Sequence, residues 1–376
     1  MRGEAADLSR HWTLDPEVAF LNHGSFGACP RAVLDAQRGY RERMERQPVR
    51  FLTREAPALL AQAREALARF IGASPENLAL VPNATSALNA VLRSLPLAAG
   101  DELLVTDHEY NASRNALDFV AERHGARVVV VAIPFPLESA DTPLDALLQK
   151  VGPRTRLALL DHVTSATALV LPIGGWIREL EQRGVAVLID GAHAPGMLEL
   201  ELEALAPSYY TGNCHKWLCA PKGAGFLWVR ADRREQVRPA VISHGANAPV
   251  PRSELFRAEF DWMGTADPSA ALAVPDAIAC IGGLLAGGWT AVRERNRALA
   301  VEGRRILCEA LGVEPACPEA MLGSMAAVEL PASRRFPIAA HATRGPVLGR
   351  DPLHDRLLDE HRIEVPVLLD PARKSR

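Results

Sequence analysis

The sequence of 376 residues has no paired-cysteine pattern, no long apolar run and no strong charge imbalance. Its six cysteines (29, 214, 219, 280, 308 and 317) include no C-x-x-C pair. That argues against a disulfide framework or a zinc site and fits reduced thiols in a cytoplasmic protein, with no metal expected. The longest purely apolar run, Val128 to Ile133, is far too short to cross a bilayer. Met1 to Arg10 is charged and has no apolar core, so no secretory signal is expected. A net charge of −3 and an isoelectric point near 6.4 leave no footprint for nucleic acid or anionic membrane. The basic residues from Arg38 to Arg50 alternate with Glu42 and Glu45, as on a solvated helix face. Internal repeats and low-complexity tracts are also absent.

What remains is an ordinary globular composition, 48% apolar and 23% charged, on a chain long enough for a large core and two domains. Helices are expected over residues 31–46 and 57–70, separated by Gln47-Pro48. From residue 78 the pattern alternates strand and helix, which predicts a mostly parallel sheet. The expected strands are 78–81, 102–106, 127–133, 156–160 and 185–189; the helices between them are 84–95, a segment ending at His124, 143–150 and 174–183. Three of these strands end in polar clusters: Asp107 to Tyr110, Asp161 to Thr167, and Asp190 to His193. Carboxyl ends of neighbouring parallel strands converge on one rim, where open α/β sheets bind their ligands. Beyond Val229 the pattern predicts a helix over 230–238, a Gly/Pro loop over 244–252, an Ala-rich helical region reaching Leu311, a strand over 324–330 and a helix over 352–361.

The chemistry centres on Lys216. A lone lysine is ordinarily a solvated charge, and a strand-terminal aspartate is ordinarily a helix cap. Lys216, however, is flanked by Cys214, Trp217, Leu218 and Cys219, a poorly solvating environment that favours the neutral, nucleophilic amine. Asp190 lies upstream at a strand end. An amine and a carboxylate so placed suit pyridoxal phosphate (PLP), with the lysine bonding to the cofactor and the aspartate keeping its pyridine nitrogen protonated. Upstream again, Asn83-Ala84-Thr85-Ser86 opens a helix whose free N–H groups make an anion site.

With these motifs in place, the chain resembles the class V aminotransferase family of fold-type I PLP enzymes, in its isopenicillin N epimerase-like branch. The resemblance is carried by Phe20 to Gly27, Asp107 to Ala112, Asp161 to Ser165, Asn213 to Leu218 and Ile363 to Val367, and covers nearly the whole chain from residue 20. It implies an α/β fold: an N-terminal segment and large PLP-binding domain with a mostly parallel sheet over residues 1–250, and a smaller α+β domain over 251–376. It further implies that Lys216 bonds to the cofactor and Asp190 pairs with the ring nitrogen. Ala84, Thr85, Asn213 and His215 would hold the phosphate, Ser165 and His193 would lie near the ring hydroxyl, and Tyr110 would stack on the ring. Thr265 would reach the phosphate of the neighbouring subunit in a homodimer. Asn22 and His23, in the early polar loop, are candidates for binding substrate.

The expected substrate is a small amino acid or a peptide containing one, and the expected reaction is epimerisation at Cα, with Lys216 as the base. Tyr110, His108 or a water is the candidate donor on the opposite face. A carbon–sulfur lyase is the alternative. The nucleophilic cysteine that cysteine desulfurases carry on a late loop has no counterpart in Ile363 to Leu369, which argues against persulfide chemistry. Relatives continue past the Glu-Val-Pro-Val segment into a strand whose arginine clamps the substrate carboxylate. The tail Leu368 to Arg376 contains Pro371 and offers no assignable equivalent, so Arg50 is the candidate substitute. A weakly active cofactor-holding protein is the third reading.

Overall fold

The computed structural model describes residues 8–140, 142–331 and 351–368. A seven-stranded sheet lies at its centre: β2 (Leu78–Val81), β3 (Glu102–Thr106), β4 (Arg127–Val131), β5 (Thr155–Asp161), β6 (Ala186–Asp190), β7 (Tyr209–Asn213) and β8 (Gly225–Val229). Their spatial order is β2-β8-β7-β6-β5-β3-β4, and β8 alone runs antiparallel to its neighbours. A pair of two-residue strands, β1 (Ala19–Phe20) and β9 (Ile363–Glu364), joins the two ends of the described chain in parallel.

The strands read as continuous apolar runs because both faces of the sheet are covered, and their alternation assigns each residue to a face. Leu103, Val105, Leu157, Leu159 and Leu188 enter one buried cluster, while Leu104, Ala158, Leu160, Val187 and Ile189 enter the other. Helix Ala84–Ser94 covers the first face through Ala87, Leu88 and Val91, and helix Ile173–Gln182 covers the second through Trp176, Ile177 and Leu180.

Since β3, β5 and β6 are adjacent and parallel, their polar ends meet on one rim. β7 joins that rim beside β6. β2 is antiparallel to β8, which is itself antiparallel to β7, so the start of helix Ala84–Ser94 arrives there too.

Some expectations change. Between helices Arg31–Arg46 and Ala56–Phe70 the chain keeps coiling, through Pro48–Arg50 and a wider π turn over Phe51–Glu55. Residues 231–236 form a 3-10 turn where an α-helix was predicted. After the Gly/Pro loop, helix Arg252–Asp261 buries Phe256 and Phe260 in the first face cluster. Residues 324–330, expected as a strand, are mostly half-buried and join none of the sheets among the described residues. The helix at Pro352–His361 matches the expectation, with Asp351 as its cap.

Candidate active site

After β7 the chain turns tightly through Cys214 to Ala220. Cys219 N–H donates to the Lys216 carbonyl at 3.1 Å and Ala220 N–H to the Cys214 carbonyl at 3.0 Å. Two other loops press on this turn, and each does so with a glycine at positive φ. A Cβ on Gly27 (φ 70°) would collide with the His215 carbonyl, and one on Gly196 (φ 85°) with the Trp217 carbonyl. His23 accepts the Ala28 N–H on Nδ1 at 3.4 Å, so its proton sits on Nε2 and donates to the Lys216 carbonyl at 3.0 Å. Asn22 donates to Glu364 Oε1 at 2.7 Å and accepts from the Ser25 hydroxyl. In this chain His23 therefore straps the lysine turn, while Asn22 ties the same loop to Glu364.

The Lys216 amine stands 3.0 Å from His193 Nε2. Burial lowers its pKa from the ordinary 10.5 to about 8, against the opposing fields of Asp190 and Asp161. Burial, with Lys216 and His215 nearby, also holds His193 well below the ordinary histidine value. Trp217 Nε1 can only donate, and its bond to His193 Nδ1 at 3.4 Å leaves the imidazole proton on Nε2. That proton points at Lys216 Nζ, an arrangement that suits a neutral amine.

Asp190 ends β6, in register with Asp161 at the end of β5. It is buried, accepting from Ala192 N–H at 3.0 Å and from the Ser113 hydroxyl at 3.1 Å. Burial raises its pKa, while Ala192, Lys216 and Ser113 pull it back down. Glu109 lies beside it, just as buried.

At the start of helix Ala84–Ser94, Asn83 caps the Ser86 N–H at 2.8 Å. Asn213 Oδ1 takes the Ala84 N–H at 2.8 Å. Among the described residues, this leaves the Thr85 N–H and hydroxyl and the Asn213 amide N–H groups without protein partners. His215 donates from Nδ1 to the Ala224 carbonyl at 3.3 Å. Its pKa is lowered, chiefly by burial. Ser165 sits half-buried in the loop after β5.

Four sequence candidates lie in different settings. Tyr110 precedes helix Asn111–His124 with its side chain exposed. Thr265 is exposed in the loop after Gly264. Arg50 pairs with Glu55 at 3.1 Å and leaves 65% of its side chain in solvent. His108 is buried, bonded to Thr167 Oγ1 at 2.8 Å and the Ile133 carbonyl at 3.1 Å, so neither ring nitrogen faces a substrate. Sequence reasoning assigned no role to Ser113, Glu109 or the Trp217 N–H. Glu109 lay inside a flagged polar cluster, but nothing in the helix period marked Ser113.

The donor set fits the cofactor. An anion cup at a helix start, a buried acid at a strand end and an amine of lowered pKa occupy one rim, and the sheet and rim define a PLP-dependent enzyme of fold type I. The family model for aminotransferase class-V matches residues 21–326, and the chain belongs to that family. Isopenicillin N epimerase of Streptomyces clavuligerus is 40% identical over 332 residues, covering 85% of this chain and 82% of the relative. A probable chloroplastic L-cysteine desulfhydrase of Arabidopsis thaliana is 32% identical over 384 residues, covering 97% and 77%. A cystine C-S lyase, C-DES, solved with its product cysteine persulfide, superposes with a TM-score of 0.67 at 24% identity over 79% of each chain. The apo cysteine desulfurase of Thermococcus onnurineus NA1 gives 0.70 at 18% identity, covering 85% and 80%. At these identities the two structures speak for the fold. No described helix is long and apolar enough to cross a membrane.

Proposed function

We propose that this enzyme moves a proton at Cα of an amino acid, or of a peptide containing one, in the manner of an epimerase. The observation that carries the reading is the Lys216 amine, 3.0 Å from a neutral His193 and lowered to about 8, on the rim that also holds Asp190. Such an amine serves both as the cofactor's covalent anchor and, once released, as a base near neutral pH. Bound PLP supplies an electron sink for the charge left at Cα. Asp190 would hold the ring nitrogen's proton, and Thr85, Asn213 and His215 would hold the phosphate. Exposed Tyr110 is the donor candidate for the opposite face, because His108 is fully engaged. The relatives at 40% identity support epimerisation within this class.

The desulfhydrase relatives favour a second reading, in which the same first step is followed by loss of a thiol from Cβ. The sequence has no cysteine after Cys317, so neither reading uses a late nucleophilic thiol. We also propose a homodimer in which Thr265 serves the neighbouring site. Its exposure beside an apolar groove lined by Leu52, Pro57, Leu60 and Trp262 supports this. The test of function is a panel of amino acids and small peptides incubated with loaded enzyme in deuterated water. Cα exchange with inversion supports the epimerase, and pyruvate with ammonia supports the lyase. No exchange on any member overturns both.

A further inference from the structure

The two ring nitrogens of His193 face two residues that are adjacent in the chain. Nε2 lies 3.0 Å from the Lys216 amine, and Nδ1 accepts the Trp217 indole N–H at 3.4 Å. His193 itself is buried. Two other loops hold Trp217 in this position. Its carbonyl packs where Gly196 has no side chain, and its ring lies tilted against His23 with centroids 5.1 Å apart. A Cβ on Gly24 would stand 3.4 Å from Trp217 Cζ2 and 3.6 Å from His193 Cε1, so indole and imidazole share one wall.

Counting hydrogens shows what the indole does. An indole N–H only donates, so Nδ1 must keep its lone pair, and the single hydrogen of a neutral imidazole sits on Nε2. A neutral amine has one lone pair and accepts that hydrogen. An ammonium has three hydrogens and no lone pair, so two donors would face each other across 3.0 Å. To accept from the ammonium, His193 would have to move its hydrogen to Nδ1, where the indole hydrogen already points. An imidazolium is blocked in the same way.

We propose that Trp217 is a positioning residue for Lys216: its indole N–H fixes the tautomer of His193, so that the imidazole serves a neutral amine and rejects an ammonium. The proposal rests on Lys216 being the anchor and base, and adds a device that keeps the amine ready for both tasks. Burial acts on the amine in the same direction, against the fields of Asp190 from β6 and Asp161 from β5. Glu109 interacts with Asp190, His215 and Lys222 lie nearby in the chain, and His23 meets the backbone of the turn. Among the described residues only Trp217 bonds to Nδ1, so the choice of tautomer falls to it.

The test uses the full-length protein stripped of PLP. Trp217 is changed to Phe and, separately, to benzothienylalanine, which keeps the shape of tryptophan but has sulfur in place of the N–H. Nitrogen NMR of labelled histidines reads the His193 tautomer. Competitive acetylation, read by peptide mass, gives the pH at which Lys216 is half protonated. In the wild type His193 should keep its hydrogen on Nε2 on both sides of that midpoint, near about 8. Both replacements release Nδ1 to water, which donates and accepts. The midpoint should then rise by about 1 pH unit, the low end for a hydrogen bond gained by a charged group. His193→Gln is the control, because an amide turns to offer an acceptor without changing tautomer. On that background, loss of the indole N–H should move the midpoint no further.

A wild-type His193 that changes tautomer as Lys216 titrates overturns the proposal. So does an unmoved midpoint with benzothienylalanine, or an equal rise on the glutamine background. If the Trp217 variants do not fold, the wild-type tautomer decides. Borohydride fixation of PLP in the wild type checks the underlying reading separately. Label on a peptide without Lys216 would sink the cofactor site, while acetylation and NMR still report on the amine and the imidazole.

Discussion

Burial acts on both the lysine side and the acid side of this rim, yet it does opposite work on them. On the lysine side it favours the reactive forms: a neutral Lys216 amine is a nucleophile and a neutral His193 can donate to it. On the acid side the neutral form is the wrong one for pairing with a protonated ring nitrogen, and burial pushes Asp190 and Glu109 toward it. The nearby cation makes the difference. Both acids accept a backbone N–H, Asp190 from Ala192 and Glu109 from Tyr110, but only Asp190 also has the field of Lys216 opposing desolvation. Desolvation alone suffices to make a base reactive, but holding an acid toward its ionised form takes an opposing charge as well as donors.

The strongest way to break the lysine side is Lys216→Ala. It removes both anchor and base, and Cα exchange should fall roughly 10⁴-fold, the upper end for a positioned general base. Borohydride should then fix no cofactor to the 216 peptide. A residual rate within tenfold of wild type would mean the base is elsewhere. The intact lysine has its own signature in pH. Because the neutral amine attacks, the rate of PLP attachment should rise with pH and level off above about 8. A rate still climbing toward 10.5 would show an ordinary solvated lysine.

On the acid side, Asp190→Asn keeps the shape and removes the charge. PLP should still attach to Lys216, while Cα exchange slows about 10- to 100-fold, the range for losing a charge-assisted hydrogen bond. Unchanged exchange would reduce Asp190 to a structural acceptor for Ala192 and Ser113.

The contrast between the two sides also tracks what the sequence makes legible. The rim was readable because β-branched apolar runs and the acids that end them are local patterns, and β3, β5 and β6 do stand side by side. The poor solvation of Lys216 was readable from its chain neighbours Cys214, Trp217 and Leu218. The acid-side network was not, because Ser113 meets Asp190 across 77 residues and its helix position carries no special period. For the same reason the contacts of Asn22 and His23 were not legible: their partners, Glu364 and the Lys216 carbonyl, are distant in sequence. The segment 324–330 is a different case. Among the described residues its apolar run joins no sheet, and the Met325 sulfur lies against Gly24; strand propensity does not say where such a run packs.

Gly27→Ala tests the packing that holds the lysine turn. The left-handed conformation at φ 70° costs a Cβ-bearing residue about 1–2 kcal/mol, before any collision with the His215 carbonyl. PLP affinity should weaken about 5- to 30-fold with the sheet intact by circular dichroism. Wild-type affinity would show that the strap does not support the site.

The smallest effect is expected outside both sides, at Arg50. Sequence made it a candidate clamp for the substrate carboxylate because the tail shows no assignable arginine, and Leu369 to Arg376 lie outside the described residues. The structure gives Arg50 a different partner, Glu55 at 3.1 Å, with most of its side chain in solvent. An exposed pair of this kind contributes about 0–1 kcal/mol, so Arg50→Ala should change KM for the substrate by no more than about fivefold. A carboxylate clamp would behave otherwise, raising KM about 10- to 100-fold with Cα exchange at saturation preserved. Glu55→Ala separates the cases further. A bystander pair predicts a small effect like that of Arg50→Ala, whereas a clamp freed from its competing carboxylate predicts a lower KM. A large rise for Arg50→Ala together with a fall for Glu55→Ala would place Arg50 in the substrate site and show the Glu55 pair to be a resting contact that substrate displaces.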